Sequence, residues 1–527
     1  MRSARPARIA LIVVAMLLWL AACARLVSEL DETYHEEVTP KSGSTQGSVL
    51  FSNNINGETQ PCGCNKFPLG GLEQVAGHFH QVGEKGPIIY VDSGDMLFPS
   101  PILPAHLHAS HQYTALKLVE AAEKLGLKFF VPGDQDFALG VKWLADLSQK
   151  TKFTFLISNA RENSPIKHRA WAKIAVGDKT LIFLGVSDPE LLNGEASALF
   201  SSPEVAIESA LDAADPSKGD IVVLLSHSGM DKDRRYAQLF PRLDWIIGSH
   251  TQSFTQRATE EGNTKIVQGL SRNHYLGQIQ FGLGANDAQV KFQLLETREE
   301  MSKAVTPNPM TPFMQEWREG VAKVQKEEQQ KLSGQNTSND PLPTFNSCLE
   351  CHAKQTAFWQ GTAHASAWHT LVAKGSDNDA SCVGCHSTGF QNPQGFTSTA
   401  ERVRFSGEYN AEKLKAYSEA LVKSYAGVTS VRALSAAQRK ARSVGQVKLI
   451  AEHGVSHDYG NVQCLNCHDK NRDHPFDGSL QSNNADMSGK CLTCHTADQS
   501  PDWYKSGVAN QAVVAAKIKS VTCPSGK

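Results

Sequence analysis

The sequence predicts an α/β layered domain followed by a mostly α-helical and irregular domain. Two observations carry this expectation. From about residue 48 to 296, short β-rich apolar runs alternate with helical patterns, as strands layered with helices do. From Cys348 onward the strands fade, and eight of the 12 cysteines fall between Cys348 and Cys494. The length of 527 residues leaves room for roughly three domains at about 150 residues each. Cores of that size need no disulfide staples. Hydrophobic residues at 40% and charged residues at 20% exclude wholesale disorder. A formal charge of -2 lacks the basic excess of a nucleic-acid binder. Twelve cysteines beside 19 histidines direct attention to metal-centred chemistry, and their spacing decides which kind.

The chain opens on an address. Arg2, Arg5 and Arg8 precede an apolar run from Ile9 to Ala22, too short to span a bilayer comfortably and flanked as a secretory signal is. It ends Leu20-Ala21-Ala22-Cys23, which resembles the bacterial lipobox, so residues 1–22 are expected to be removed and Cys23 lipidated. The alternatives are an ordinary signal peptide or an uncleaved anchor. A lipid on Cys23 would hold the chain at a membrane without spanning it. Residues 23–47 are polar, with Thr, Pro, Ser and Gly, and are expected to be a tether.

Within 48–296 the strand candidates are Val49–Phe51, Ile88–Val91, Phe129–Val131, Phe153–Ile157, Thr180–Val186, Ile221–Ser226 and Trp245–Ile247. Tyr113–Leu125 and Glu204–Ala213 have helical patterns, and Lys265–Gln268 with Gln278–Phe281 suggests an antiparallel edge pair. Residues 297–343 are expected to be a linker, with a chain break at Thr306-Pro307-Asn308-Pro309, a charged helix over Phe313–Leu332 and a Ser/Asn/Pro-rich run after it. The second domain is placed at 344–505, with one or two polar helices over 408–450. A tail, 506–527, begins helical and contains the unassigned Cys523.

Four segments share one pattern: Cys348-x-x-Cys351-His352, Cys382-x-x-Cys385-His386, Cys464-x-x-Cys467-His468 and Cys491-x-x-Cys494-His495. Two thiols three positions apart can form thioethers with the two vinyl groups of one haem, and the adjacent histidine then reaches the proximal face of the iron. Zinc sites and thiol–disulfide exchange also use Cys-x-x-Cys. Neither accounts for a histidine directly after the second cysteine four times over. The expectation is four c-type haems, matured outside the cytoplasm. A second histidine on an iron suits electron transfer, whereas an open position allows catalysis. His364, His369, His453, His457 and His474 are the histidines of this domain outside the motifs, five candidates for four irons. His364 and His369 are five apart and do not share a helix face well, so one of them is expected to be a ligand.

The second domain resembles the cytochrome c-554 family of multihaem cytochromes. The resemblance rests on Trp359-x-x-Thr362-x-His364-Ala365, on Cys385-His386-Ser387-Thr388-Gly389-Phe390 and on Val462-Gln463 before the third motif. It implies a compact tetrahaem module of helices and loops that passes electrons along a chain. Family members commonly follow the third motif with Gly-Pro-Gly and a histidine; here Asp469 to Asp473 precede His474, so the histidine is kept and the glycines are not.

The first domain resembles the 5′-nucleotidase and UDP-sugar hydrolase branch of the calcineurin-like metallophosphoesterases. Asn53-Asn54-Ile55-Asn56-Gly57 stands at the Asp-x-His-Gly position and Asp92-Ser93-Gly94-Asp95 at the Gly-Asp motif. Gly133-Asp134-Gln135-Asp136 stands at Gly-Asn-His-Glu/Asp, Ser226-His227-Ser228-Gly229 at Ser-His-x-Gly, and Gly248-Ser249-His250-Thr251-Gln252 at Gly-Gly-His-Thr-His. The resemblance implies two metals that activate water and clamp phosphate oxygens. The first would sit on Asn54, Asn56, Asp95 and Gln252, where neutral amides are poor ligands. The second would sit on Asp95, Asp134, His227 and His250, a good set for one divalent ion. Gln135 replaces the phosphate-facing histidine and cannot donate a proton to a leaving group.

The fold class expected is therefore an α/β layered metallophosphoesterase-like domain followed by a mostly α and irregular multihaem cytochrome c domain. The function expected is electron transfer by an exported lipoprotein facing the periplasm or exterior, with redox proteins as partners and no nucleic acid. The alternatives are a metal-dependent phosphoester hydrolase, or a multihaem reductase of a small nitrogen or sulfur compound. Cys62 and Cys64 in Pro61-Cys-Gly-Cys could close a turn, bind a soft metal or act as a redox couple. His106, His108 and His111 form a further cluster, expected to be solvated.

Overall fold

The computed structural model describes residues 34–61, 68–283, 291–332, 340–407, 410–428, 430–468, 487–496, 500–505 and 508–524. The chain divides into two compact units. The first is Met1–Pro61, Leu69–Ile102 and Leu118–Asn308; the second is Cys62–Pro68, Leu103–Lys117 and Pro309–Lys527.

The strands of the first unit are β1 (Tyr34–Val38), β2 (Gln46–Ser52), β3 (Ile88–Asp92), β4 (Leu127–Phe130), β5 (Thr154–Phe155), β6 (Trp171–Val176), β7 (Lys179–Ser187), β8 (Ile221–His227), β9 (Trp245–Gly248), β10 (Thr259–Glu261), β11 (Thr264–Val267), β12 (Tyr275–Gly282) and β13 (Lys291–Glu296). They form a six-stranded sheet, β13-β12-β2-β3-β4-β5, and a seven-stranded sheet, β1-β6-β7-β8-β9-β11-β10. Strands β2 to β5 run parallel in the first sheet, and β7, β8, β9 and β11 run parallel in the second.

The sequence explains the layering. Along β7, Leu181 and Phe183 pack with Phe51, Val91 and Phe129 of the other sheet, while Ile182, Leu184 and Val186 pack with Ile207, Leu211 and Tyr236 from the helices Pro203–Ala214 and Met230–Leu239. A strand covered on both faces must be apolar at consecutive positions, which is why these strands read as unbroken apolar runs. The two sheets therefore enclose one core, and their parallel strands direct their C-terminal ends to one rim.

Three expectations are corrected. Tyr34–Val38, placed in the tether, is strand β1 and pairs with β6 in parallel. Alternate side chains of β1 are half-buried, and the aromatic ring of Tyr34 packs edge-on against Phe129. The pair Lys265–Gln268 and Gln278–Phe281 does not form. β11 joins β9 and β10 in one sheet, whereas β12 lies between β2 and β13 in the other. The helix expected in the linker is longer, Met310–Leu332, and is a structural part of the second unit, because Met310, Phe313, Met314 and Val321 give it a buried apolar stripe.

The second unit is mostly short helices and loops. Helices Ala411–Ser424 and Ala436–Glu452 fill the region expected to be helical. Asn410 caps the first by accepting from the amides of Glu412 and Lys413, and Ser435 with Gln438 forms a capping box on the second. One apolar cluster gathers Phe345, Trp359, Val403, Tyr417 and Leu421; another gathers Trp368, Leu371, Val383, Phe396 and Tyr459. Leu103–Lys117 belongs to this unit although it lies between β3 and β4 in sequence. Its Ser110 amide donates to Glu328 and its Thr114 hydroxyl accepts from Trp317, both on the helix Met310–Leu332. Among the described residues no helix is long and apolar enough to cross a membrane.

Phe183 is fully buried between the sheets. Phe183→Ala is expected to cost about 3–5 kcal/mol of stability, measured by denaturant unfolding of the first unit's transition; a loss under about 1 kcal/mol would mean that the inter-sheet core does not set this unit's stability.

Candidate metal centre and haem-attachment motifs

Four of the first unit's site residues come from strand ends. Asp95 follows β3, Asp134 follows β4, His227 ends β8 and His250 follows β9. Their nearest ligand atoms all lie within 4.8 Å of one another, so the structure brings together all four residues expected at the second metal position. Nε2 of His227 lies 3.2 Å from Oδ1 of Asp134 and 3.5 Å from Oδ1 of Asp95, and Nδ1 of His250 lies 3.0 Å from Oδ1 of Asp134. Nδ1–H of His227 donates to the carbonyl of Ser93 at 3.0 Å, which fixes the ring and turns Nε2 toward the carboxylates. Asp95 and His250 hold left-handed backbone, φ 57° and 69°. Gly133 permits the close approach: a Cβ there would lie 2.3 Å from Oδ1 of Asp95 and from Cε1 of His227.

The electrostatics suit a cation. Burial raises the Asp95 carboxyl, an effect that His227 opposes. Burial also acts to raise Asp134, but the hydrogen bonds from His227 and His250 hold it well below the usual carboxylate range. Burial works against a charged His227, yet Asp95 and Asp134 outweigh it and push the imidazole up to about 9. Two anionic oxygens and two imidazoles are a donor set for one divalent ion.

The amides at the other metal position are engaged differently. Asn54 is fully buried. Its Oδ1 accepts from the Ser249 hydroxyl (2.8 Å) and the His250 amide (3.0 Å), and its Nδ2 donates to the Leu270 carbonyl (3.2 Å). Gln135 donates from Nε2 to Oδ2 of Asp95 at 3.0 Å. Oδ1 of Asn56 is buried without a hydrogen-bond partner. Asn54, Asn56 and Gln252 keep left-handed backbone, so the turn geometry persists although the ligand atoms have changed.

Sequence reasoning passed over Asp136, which is fully buried. Its carboxylate accepts from the amides of Asp95 (2.9 Å), Leu97 (2.8 Å) and Gly133 (2.8 Å), so it locks the β3 and β4 loops together. Burial, helped by the Asp95 charge, pushes its carboxyl up to about 8. The signal was present, since Asp136 closes the Gly-Asp-Gln-Asp motif.

In the second unit each attachment motif closes a helical turn. The amides of His352, His468 and His495 donate to the carbonyls of Cys348, Cys464 and Cys491 at 2.9, 2.8 and 2.9 Å, and Cys382 to His386 lie within the helix Ala380–His386. The first cysteine and the histidine thus sit one turn apart. Among the described residues none of the eight motif cysteines is in a disulfide. Nδ1–H of His386 donates to the Ala367 carbonyl (2.8 Å) and lies 2.9 Å from the Thr370 hydroxyl, which fixes the orientation of the ring. Nδ1 of His495 bonds the Ser500 hydroxyl at 2.9 Å, and its ring stacks on Trp503 at 4.3 Å. These arrangements fit a haem-binding role.

The other histidines are dispersed. The His364 ring centroid is 6.4 Å from that of His495. His369 stacks on Tyr425 at 3.7 Å. His453 ends the helix Ala436–Glu452 beside Tyr417, and His457 stacks near Tyr459. Of the cluster expected to be solvated, His106 bonds Gln391 and His111 is partly buried, which lowers its pKa. Cys23, Cys62, Cys64 and His474 lie outside the described residues.

Comparison with known proteins accords with this division. Residues 347–407 match the family described as Cytochrome c554 and c-prime. The cytochrome c-554 of Nitrosomonas europaea is 32% identical over 91 residues, covering 14% of this chain and 39% of that protein. The 5′-nucleotidase of Bos taurus is 24% identical over 200 residues, covering 35% of this chain and 33% of that protein; that of Mus musculus is 21% identical over 233 residues, covering 41% and 39%. The chain thus spans a third to two fifths of the length of these relatives, 33% to 39%. A solved 5′-nucleotidase precursor of Thermus thermophilus aligns over 53% of this chain and 58% of that one at 18% identity, with a TM-score of 0.43. The chain is a fusion of two classes: an α/β metallophosphoesterase-like unit and a mostly helical cytochrome c unit. The first is related to the 5′-nucleotidases, and the second carries a cytochrome c554 segment, which implies haem and electron transfer.

Asn54→Ala would leave the His250 amide unmatched in a buried site and the Ser249 hydroxyl with only the Gly94 carbonyl, at 3.3 Å. The expected cost is about 2–4 kcal/mol, read by denaturant unfolding; a neutral result would show that this amide is not a structural cross-link.

Proposed function

We propose that this chain is an exported, lipid-anchored electron-transfer protein with four c-type haems, whose phosphoesterase-like domain binds one divalent ion and has lost two-metal hydrolysis. The observation that carries the haem reading is the fourfold recurrence of one local geometry: a Cys-x-x-Cys-His helical turn and, in the second and fourth motifs, a histidine whose Nδ1 is already hydrogen-bonded. His352, His386, His468 and His495 are the proximal ligands in this reading. His364, His453, His457 and His474 are the distal candidates. Two imidazoles on opposite sides of one iron, each at a metal–nitrogen bond of about 2 Å, place their ring centroids about 6 Å apart. The 6.4 Å between His364 and His495 supports that pairing. The haems supply one-electron chemistry, and the second domain, 344–505, would exchange electrons with redox proteins outside the cytoplasm. The lipid on Cys23 would supply the membrane contact, and nucleic acid has no part in this reading.

The engagement of Asn54 and Gln135 supports the loss of two-metal hydrolysis in the first domain, 48–296. A second ion on Asp95 would have to displace the amide of Gln135, and Asn54 would have to give up two accepted hydrogen bonds. Gln135 also offers no proton to a leaving group. Asp95, Asp134, His227 and His250 remain for one ion.

Two measurements test this. Protein matured in an oxidising compartment is expected to contain four haems per chain by pyridine haemochrome assay, falling to three in a Cys382→Ala/Cys385→Ala variant; a wild-type ratio of two or fewer would sink the tetrahaem reading. Metal analysis after incubation with manganese or zinc is expected to find one ion per chain, lost in Asp134→Ala, with no phosphoesterase turnover above background. Turnover of a nucleoside monophosphate that disappears in His227→Ala would instead establish a working hydrolase.

A further inference from the structure

The second unit contains a cavity of about 510 Å³ that neither the attachment motifs nor the metal centre uses. Its volume falls within the range of small-molecule sites, about 300–1,000 Å³. None of the motif cysteines or motif histidines lines it. Trp368, His369, Tyr425, Arg402, Gln446 and Asn461 form its inner wall. All six are buried.

The wall has a definite chemistry. Trp368 and Tyr425 give it aromatic faces, and the Arg402 guanidinium lies 4.5 Å from the Trp368 ring centre. The side chain of His369 is only 9% exposed, and neither ring nitrogen has a hydrogen-bond partner among the described residues. Burial pushes its pKa down to about 4, so the ring is neutral at pH 7 and can donate at one nitrogen and accept at the other. Lys326 and Lys415 stand exposed at the rim with Asp377, and Nζ of Lys415 lies 3.9 Å from Oε1 of Glu419. An aromatic interior, an imidazole without a hydrogen bond among the described residues and two lysines at the rim fit a flat apolar ring system bearing an anionic group.

The cavity also borders the second haem motif through a single helix. The helix Ala367–Val372 presents Trp368, His369 and Val372 to the cavity. The same helix holds Nδ1 of His386 through the Ala367 carbonyl and the Thr370 hydroxyl. Hydrogen bonding at Nδ1 sets the basicity of an iron-bound imidazole and hence the reduction potential of its iron.

We propose that this cavity binds a small planar aromatic anion and that binding is linked to the redox state of the haem on Cys382, Cys385 and His386. The binding claim stands on the cavity alone; the linkage rests on the haem reading. A negative charge here favours the oxidised iron, which carries one more positive charge. The anion therefore binds more tightly to the oxidised protein and by reciprocity lowers that haem's midpoint potential.

Naphthalene-2-sulfonate, a redox-inert planar aromatic anion, is a suitable probe for calorimetry on the haem-loaded protein. Ser418 lines the cavity from the helix Ala411–Ser424, so Ser418→Trp fills the space without touching a haem motif. Binding at one site per chain is expected, weakened at least tenfold in Ser418→Trp, provided that variant keeps the wild-type haem spectrum and melting temperature. A His369→Phe variant, which keeps the ring and removes both nitrogens, is expected to weaken binding as well. Equal affinity in wild type and both variants, or no binding to wild type, would overturn the site. Spectroelectrochemical titration with saturating probe is expected to lower one haem midpoint in wild type and none in Ser418→Trp. Binding with every midpoint unmoved would overturn the linkage. A chain lacking the second haem but still binding the probe would count against the tetrahaem reading while leaving the site intact.

Discussion

The second unit depends on one buried carboxylate, Asp458. Its side chain is wholly buried, and a charge in that position is tolerated only when fully matched. Arg402 supplies the counter-charge, and the Tyr417 hydroxyl (2.6 Å), the Gln446 amide (3.0 Å) and the Gly460 backbone amide (2.9 Å) fill the remaining acceptor positions. These partners come from separate elements: Tyr417 from the helix Ala411–Ser424, Gln446 from Ala436–Glu452, Arg402 from the turn before Val403–Phe405. The carbonyl of Asp458 also accepts from the Gln463 side chain at 2.7 Å, next to the third attachment motif. Asn461, two positions before Gln463, accepts from the Trp368 amide and donates its own amide to the His386 carbonyl. A unit of short helices and few strands has little backbone ladder to align it. This network supplies the alignment, and the cysteine-bearing turns are positioned from it.

The first unit is aligned by its sheets. Strands buried on both faces cannot slip register without exposing a full apolar face, so the strand ends are fixed in space. The metal-centre residues inherit that precision. Asp95 and His250 lie in left-handed turns just beyond β3 and β9, Asp134 follows Gly133 after β4, and His227 ends β8, so side chains from different strands can meet. Asp136 then couples two of these turns through three backbone amides. Asp95 and Asp134 are therefore held by backbone as well as by their mutual histidines.

How much of this the sequence disclosed follows from the range of each signal. The β7 and β8 runs were legible because burial on both faces leaves an uninterrupted apolar stretch. The four Cys-x-x-Cys-His motifs stand out in sequence because each is confined to five consecutive residues. The four metal-centre residues were legible only through resemblance, since they come from four separate strand ends and no local pattern joins them. β1 was missed because an edge strand half-exposed on one face reads as a polar tether. The pairing of β11 with β12 was mistaken because adjacency in sequence says nothing about which of two sheets a strand enters. The helix Met310–Leu332 was placed but taken for a spacer; its charged residues are conspicuous in sequence, whereas its stripe of Met310, Phe313, Met314 and Val321 is evident only once its partners are known. The Asp458 network was invisible in sequence, since its members span Arg402 to Gly460 with no spacing rule between them.

The replaced positions in the metal centre have a common electrostatic logic. The site already buries Asp92, Asp95 and Asp136, and burial pushes the carboxyls of Asp92 and Asp136 up to about 7 and about 8. A further aspartate at position 54, wholly buried, would add a charge whose desolvation only a second cation could offset. Asparagine keeps the shape and both accepted hydrogen bonds without that charge, and it gains the donor that reaches the Leu270 carbonyl. Gln135 acts in the same way on Asp95: its amide satisfies one carboxylate oxygen with a neutral donor. The amides are thus a self-consistent set. Each one satisfies its neighbours without adding a charge, and an acid placed at position 54 alone would leave a buried charge unmatched. The geometry of these turns is held by strand packing and by the three backbone amides bound to Asp136, neither of which involves a bound ion.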